Sequence, residues 1–358
     1  MKTPEAVPSY GVVRELSNQR LGAMFEIELD RAGQIDLRYQ RLWREMATLG
    51  LSGGKRLRPY LAAMGYYGFG GRNLDLALSL GTALEVLHLS LLIHDDIVDR
   101  AAMRYGVPTI EQRYRRHYRS RTIDRASTDH AALGAALLAG DLGLTTAHRL
   151  MADLPTTAGQ RAELLQLLSE LIHQVMAGQL LDSEIAFRPS TADDSLRVAE
   201  LKTASYSCIY PLVMGATLAG ATLQQREPLQ TFGYHFGIAY QLRDDLLGVF
   251  GEEATTGKST LSDVRDGKRT YLMQLGLRLA DPRQRRQLNA ILGNPKATQR
   301  HVQHIQGILE VTGAKSAVTD MIIRQTELGQ TALTASDLTD AVRARLQALA
   351  QDMLRRTT

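Results

Sequence analysis

The stretch LHLSLLIHDDIVDR (87–100) joins an almost continuous apolar run to three carboxylates within five positions. Asp95 and Asp99 are four residues apart and stack on one face of a helix, while Asp96 lies about 100° round the axis. Like charges at this spacing repel each other, and a partly buried carboxylate is costly without a partner. The pattern predicts a buried apolar helix whose end needs a positive partner.

A second stretch, AYQLRDDLLGVFG (239–251), repeats the arrangement with Asp244 and Asp245. One such pair could equally be a solvated helix end, but two acidic clusters at the ends of two long apolar helices favour a common function. Carboxylates without neighbouring His or Cys suit Mg²⁺, which completes its coordination with water and phosphate oxygens. If the two sets face each other, they predict a metal-bridged polyphosphate, and Lys202 and Lys258 could meet its outer oxygens.

Composition predicts a large soluble protein. The 358 residues are 44% hydrophobic, the net charge is +4, and no Ser/Gly/Pro linker or repeat divides them, so we expect one domain over 1–358, with 1–10 as a flexible N-terminal extension. The single cysteine, Cys208, suits a reducing compartment. No signal peptide or charge-free membrane span is evident, which predicts a cytoplasmic location without membrane insertion. Only seven of the 42 Lys+Arg residues are lysine, and four of the seven fall in the motifs described here.

Hydrophobic periodicity of about 3.6 residues dominates the chain and predicts an all-α fold. The expected helices are 11–30, 36–48, 56–68, 74–103, 107–120, 130–153, 157–186, 193–221, 226–250, 267–280, 283–292, 297–311, 315–329 and 335–356. Pro211 should kink or split its helix. The interpretation is a single-domain, orthogonal or antiparallel bundle of about 12–15 helices.

Several motifs occur in a characteristic order: GGKRLRP (53–59), HDDIVD with RYGVPT (94–109), GQLLD (178–182), LKT (201–203), and YQLRDD through TGKSTLSDVRDGK (240–268). In this order they resemble the trans-isoprenyl diphosphate synthases, firmly over about residues 20–280. The resemblance implies the isoprenoid synthase fold, in which the helices surround a central cavity, and usually a homodimer. It also implies condensation of isopentenyl diphosphate with an allylic prenyl diphosphate.

The resemblance assigns roles to the first substrate's site. About three Mg²⁺ ions would bridge the allylic diphosphate. They would be held by Asp95, Asp96, Asp99, Asp244 and Asp245. The same diphosphate would be bound by Arg104, Lys202 and Lys258. The Thr203 hydroxyl and the Gln241 amide oxygen could stabilise the allylic cation in a dry cavity, so that Lys202, Thr203, Gln241 and Arg104 form the catalytic set. Gln179 and Asp182 would orient a cation, and the departing pyrophosphate would serve as the base.

The second substrate needs side-chain cations rather than a metal. Lys55 and Arg58, on the first turn after a glycine loop, match this site, with His88 in support. Lys268 and Asp263 would close the cavity or orient waters on the metals. A helix N-terminus also favours an anion. Outside this motif context, Lys55 and Arg58 would be an ordinary solvated helix start, and His88 an ordinary core histidine.

Two other interpretations fail on spacing. GEEATTGKS (251–259) resembles a phosphate-binding P-loop, but five residues separate its glycines and a helix precedes it, so an NTPase is excluded. The basic run 113–125 contains Asp124 and no base-stacking signature, which favours a solvated loop over a nucleic-acid partner.

One departure from the family pattern keeps alternatives open. The usual pair of arginines reads Arg104-Tyr105 here, and the second arginine would normally bind isopentenyl diphosphate. A class I terpene synthase, which ionises a prenyl diphosphate without a second substrate, is therefore one alternative. A regulatory subunit of a heteromeric synthase is the non-enzyme alternative, although the complete acidic motifs argue against it.

Product length is expected to depend on residues just before the first acidic motif. Short-chain members carry a bulky aromatic there, whereas this chain has Ser90 and Leu91. Ser90 should leave the well open, with Leu87 as the next barrier, which predicts geranylgeranyl diphosphate (C20). Longer polyprenyl and farnesyl products remain alternatives, and Ser90→Phe should shorten the product.

Overall fold

The computed structural model describes residues 7–119, 124–185, 187–251 and 260–355. These residues are almost entirely helical, which confirms the all-α prediction. They form two compact units, residues 1–168 with 211–221 and residues 169–210 with 222–358. The single domain expected over 1–358 stays a prediction.

The first unit contains the leading helices of the chain. Its elements are α1 (Tyr10–Ile35), α2 (Leu37–Leu51), α3 (Leu57–Gly68), α4 (Leu74–Val98), β1 (Met103–Arg104), β2 (Val107–Pro108), α5 (Ile110–Arg119), α6 (Arg125–Ala152), the start of α7 (Ala158–Ile185) and most of α9 (Tyr210–Leu218). Polar caps fix several helix starts: the Ser9 hydroxyl, for example, accepts from the Val12 amide at the start of α1.

Helix α4 forms the centre of this unit because it is apolar on every side. An 18-residue window of this helix has a mean hydropathy of 1.8, which would allow it to cross a membrane, but 72% of the window is buried inside the protein. It therefore behaves as a core helix. Small residues allow close neighbours: a Cβ on Gly143 of α6 would lie 2.9 Å from the Ser90 Cβ of α4.

The predicted helix 74–103 is too long. Helix α4 ends at Val98, and the chain continues into the antiparallel pair of β1 and β2, in which Arg104 lies opposite Val107. Tyr105 and Gly106, the two residues that join the strands, both have positive φ (50° and 76°). Two-residue hairpin loops favour this geometry because it matches the twist of the strands.

The second unit contains the rest of α7 and the C-terminal helices. Its further elements are α8 (Ala192–Ala199), a π-helix (Glu200–Ile209), α10 (Leu223–Phe250), α11 (Thr260–Arg265), α12 (Tyr271–Leu279), α13 (Pro282–Ile291), α14 (Gln299–Val311), α15 (Ala314–Thr334) and α16 (Asp340–Arg355). Long helices were predicted well; α10, for example, was expected over 226–250.

The segment predicted as one helix over 193–221, kinked or split at Pro211, consists of α8, the π-helix and α9, which begins at Tyr210. The wider winding already begins at Glu200, and the Tyr210 amide at its end donates to the Ser205 carbonyl, five residues back. Glycines let neighbouring helices approach the π-helix closely. A Cβ on Gly178 of α7, for example, would lie 2.7 Å from the backbone nitrogen of Lys202. Since π-helical turns are rare and frequently occur at functional sites, this segment is a strong site candidate.

Candidate active site

The first acidic cluster lies at the C-terminal end of α4. Asp95 is half-buried, Asp96 is 3% exposed, and Asp99 is exposed and caps the helix. A helix C-terminus carries partial negative charge, so these carboxylates are placed where the helix itself disfavours them. A nearby cation is required.

Arg104 in the hairpin supplies that cation. Its Nε donates to Asp96 Oδ1 and its Nη2 to Asp95 Oδ2, both at 2.8 Å. Burial raises the pKa of Asp96 to about 6, against the opposing attraction of Arg104. Burial alone would lower the pKa of Arg104, but the negative charges of Asp96 and Asp95 outweigh this effect, and the pKa of Arg104 is raised. In this structure Arg104 therefore offsets part of the negative charge of Asp95 and Asp96.

The cluster also meets the chemical requirements of a hard cation. Asp96 Oδ2 is buried and accepts no hydrogen bond, so a positive ion there would offset a costly desolvation. Among the described residues, no group of three or more Asp, Glu, His or Cys side chains is placed so that it could hold a metal ion by itself. Oxygen ligands without a closed cage suit Mg²⁺, which retains waters and takes phosphate oxygens.

A cluster of cationic residues surrounds the loop between α2 and α3. Lys55 is exposed, while Arg58 is largely buried, its Nη1 3.9 Å from Glu85 Oε1. His88 lines a small pocket, whose other lining residues are Leu21, Phe25, Leu49, Gly50, Gly53, Arg56, Glu85, Leu89, Leu92 and Tyr105. Burial, then the positive charges of Arg58, Arg56 and Arg104, hold the pKa of His88 well below its usual value. The imidazole is therefore neutral at physiological pH.

Tyr105 lies against the glycine loop. A Cβ on Gly53 would approach the Tyr105 ring to 3.0 Å, and Tyr105 itself remains 43% exposed. The residue that replaces the family's second arginine thus forms part of the pocket wall.

Within the described residues, Ser90 does not border the open well that was expected beside it. Ser90 is 0% exposed, and its hydroxyl donates to the Gly140 carbonyl of α6 at 2.7 Å. Leu87 is also buried, whereas Leu91 is partly exposed. Of the three predicted length-determining positions, only Leu91 is partly exposed, and the role of all three stays a prediction.

The second unit holds the other predicted polar residues. The Thr203 hydroxyl donates to Gln241 Oε1 at 2.6 Å, and Gln241 Nε2 donates to Asp245 Oδ1 at 2.8 Å. Asp245 is buried and Asp244 is half-buried. This chain of hydrogen bonds joins the π-helix to α10 and fixes the direction of the Gln241 amide.

The lysines of this unit differ in their surroundings. Lys202 Nζ pairs with Asp182 Oδ2 of α7 at 2.6 Å. Lys268 is exposed. Lys258 and the side chain of Asp263 lie outside the described residues.

Sequence reasoning missed Arg56 and Glu85. Arg56 Nη1 donates to Glu85 Oε2 at 2.8 Å, and both side chains are buried. Arg56 was visible inside the GGKRLRP motif, but its role depends on a left-handed backbone (φ 53°) that only the structure reveals.

Comparison with known proteins gives a consistent result. The family model described as Polyprenyl synthetase matches residues 40–309. The geranylgeranyl diphosphate synthase of Sulfolobus acidocaldarius is 31% identical over 280 residues, covering 75% of this chain and 77% of that one. A (2E,6E)-farnesyl diphosphate synthase of Mycobacterium bovis is 31% identical over 271 residues, covering 75% and 69%.

Among solved structures, the geranylgeranyl pyrophosphate synthase of Corynebacterium glutamicum, complexed with isoprenyl diphosphate and magnesium, is similar over the whole chain. The TM-score is 0.90 at 32% identity, with 96% of this chain and 98% of that chain covered.

Proposed function

Because this chain belongs to the polyprenyl synthetase family, we propose that it condenses isopentenyl diphosphate with an allylic prenyl diphosphate to give geranylgeranyl diphosphate. The chain is a prenyltransferase, as its relatives are. The observation that carries the proposal is the pairing of buried Asp96 with Arg104 at the end of an apolar helix. Such a site can bind a metal-complexed diphosphate beside apolar surface.

The acidic residues would hold the metal. We assign Asp95, Asp96 and Asp99, together with Asp244 and Asp245, to about three Mg²⁺ ions. When bound, Mg²⁺ neutralises the diphosphate leaving group of the allylic substrate. Arg104, Lys202 and Lys258 contribute positive charge to the same diphosphate.

Ionisation of the allylic substrate leaves a delocalised cation that needs fixed dipoles. Gln241 provides one, because Asp245 holds its amide nitrogen and so directs its oxygen. The Thr203 hydroxyl donates to that oxygen and keeps its own lone pairs for the cation. A dipole held in place by the protein stabilises charge without a reorganisation cost. The double bond of isopentenyl diphosphate attacks this cation to form the new C–C bond, and loss of a proton to the departing pyrophosphate completes the condensation without a protein base.

Isopentenyl diphosphate would bind at the glycine loop. Lys55 and Arg58 neutralise its diphosphate there, with Lys268 as a further cation. His88, kept neutral by burial and by its arginine neighbours, can donate a hydrogen bond without adding charge. Tyr105 offers a hydroxyl where an arginine is usual, which lowers the affinity but leaves the other ligands in place.

The C20 product is the favoured length because both positions before the acidic motif lack an aromatic side chain. Leu91, the exposed member of the three, would border the growing chain. A homodimer in the cytoplasm completes the proposal, on family resemblance.

Tyr105 also favours a second candidate, a class I terpene synthase that uses the prenyl diphosphate alone. One experiment separates the two. The purified protein is incubated with Mg²⁺ and C5, C10, C15 or C20 primers, with and without isopentenyl diphosphate, and the products are identified by mass spectrometry. Elongation that requires isopentenyl diphosphate supports condensation. A hydrocarbon formed from a primer alone overturns it in favour of the second candidate.

A further inference from the structure

The loop that precedes α3 contains an unusual backbone conformation at Arg56. Its φ of 53° lies in the left-handed region, which is unfavourable for a side chain other than glycine. Gly54, two residues earlier, also has a positive φ of 112°. A conformation of this kind persists only where the surroundings hold it in place.

Three elements hold the Arg56 guanidinium. Nε donates to Asn18 Oδ1 of α1 at 2.7 Å, Nη1 to Glu85 Oε2 of α4 at 2.8 Å, and Nη2 to the Gly50 carbonyl of α2 at 2.8 Å. Arg56 is 6% exposed. The planar fork of an arginine can make these three bonds together, whereas a lysine ammonium cannot reach three such separated acceptors.

The residues on either side of Arg56 are the ones assigned to isopentenyl diphosphate. The Lys55 carbonyl accepts a hydrogen bond from the Tyr10 hydroxyl of α1. Arg58 Nη1 is 3.9 Å from Glu85 Oε1, the other oxygen of the carboxylate that Arg56 engages. A shift of Arg56 therefore moves the backbone between Lys55 and Arg58 and the carboxylate beside Arg58.

We propose that Arg56 is a positioning residue for isopentenyl diphosphate: by tying α1, α2 and α4 to one left-handed turn, it sets where Lys55 and Arg58 present their charges. This inference rests on the proposed function. It assigns Arg56 no contact with substrate, because the protein occupies all three nitrogens of its guanidinium.

The test uses Arg56→Lys, which keeps the charge and loses the fork, and Asn18→Ala, which removes one anchor at an exposed position. Arg38→Lys, on an arginine whose side chain is 91% exposed, is the matched control. Isothermal titration with isopentenyl diphosphate gives Kd, and steady-state kinetics give kcat and both KM values.

Arg56→Lys should raise Kd and KM for isopentenyl diphosphate about tenfold, and Asn18→Ala about threefold, as expected for lost hydrogen bonds. In both variants kcat and KM for the allylic primer should stay within about twofold, a selectivity that general loss of structure would not give. If Arg56→Lys fails to fold, Asn18→Ala decides.

Wild-type affinity in both variants overturns the inference, and so does an equal rise in both KM values. A wild-type protein that binds no isopentenyl diphosphate overturns it too. If the wild-type protein elongates a primer normally and the variants keep the wild-type Kd and KM for isopentenyl diphosphate, only the role of Arg56 is refuted. A wild-type protein that never elongates a primer refutes the proposed function.

Discussion

Substituting Ser90 by Phe tests where the α4 side chains point. Ser90 is fully buried, and its Cβ lies within 2.9 Å of where a side chain on Gly143 would begin. A phenyl ring there overpacks the α4–α6 contact by about 1–3 kcal/mol and removes a hydrogen bond to Gly140 worth about 1 kcal/mol. We therefore expect Ser90→Phe to lower the free energy of unfolding by about 2–4 kcal/mol, which corresponds to a fall in Tm of roughly 5–10 °C for a unit of this size.

Leu91→Phe is the matched comparison, because Leu91 is partly exposed and has room for a ring. It should keep the wild-type Tm and shift the product towards shorter chains. Thermal unfolding and mass spectrometry of the products measure both effects. The placement of Ser90 is refuted if Ser90→Phe melts like the wild type and shortens the product while Leu91→Phe does neither.

Three further outcomes follow from the site geometry. In EDTA, the free energy of unfolding of Arg104→Gln should be lower than that of the wild type by up to about 3–5 kcal/mol, because buried Asp96 loses its partner. Added Mg²⁺ should raise the Tm of the variant more than that of the wild type. Equal Tm values of the two proteins in EDTA would contradict this. The pKa of His88 is lower in the folded protein than in the unfolded chain. Its contribution to the free energy of unfolding is therefore complete above about pH 6.5 and falls by about 1.4 kcal/mol per pH unit below that pH. Unfolding of wild type and His88→Asn between pH 7.5 and 5.5 measures this, and identical slopes would refute it. Gly237→Ala places a Cβ 2.4 Å from the π-helix backbone and should lower kcat more than tenfold, whereas Gly134→Ala, with open space around it, should not.

Much of the fold could be predicted because the helices are long and periodic. The apolar run before Asp95 predicted α4 correctly up to the carboxylates, and its over-extension to residue 103 arose at a local turn. The hairpin strands contain two residues each, too few for period-two alternation to appear. Only Gly106 marks the turn in the sequence, while Tyr105 adopts its positive φ without any sequence signal.

The candidate site could be predicted as a set of residues but not as a set of contacts. Motif spacing identified Thr203 and Gln241, yet their hydrogen bond joins positions 38 residues apart in the chain. The π-helix that presents Thr203 has no local pattern of its own; it depends on glycines in other helices, such as Gly178 and Gly237, that allow close approach. Ser90 was misinterpreted because a small residue leaves space only if no neighbouring helix fills it.

Two cations of the candidate site, Arg104 and Lys202, are already paired with carboxylates, and this has a consequence for binding. Arg104 is held by Asp95 and Asp96, and Lys202 by Asp182. Arg104 can turn to a phosphate only if another cation neutralises the buried Asp96, because an unpaired carboxylate there is too costly. If Mg²⁺ and a diphosphate bind here as proposed, each should therefore favour the other's binding, and by linkage the effect is equal in both directions. The arginine that stabilises the protein without ligands is thus the group that couples the two.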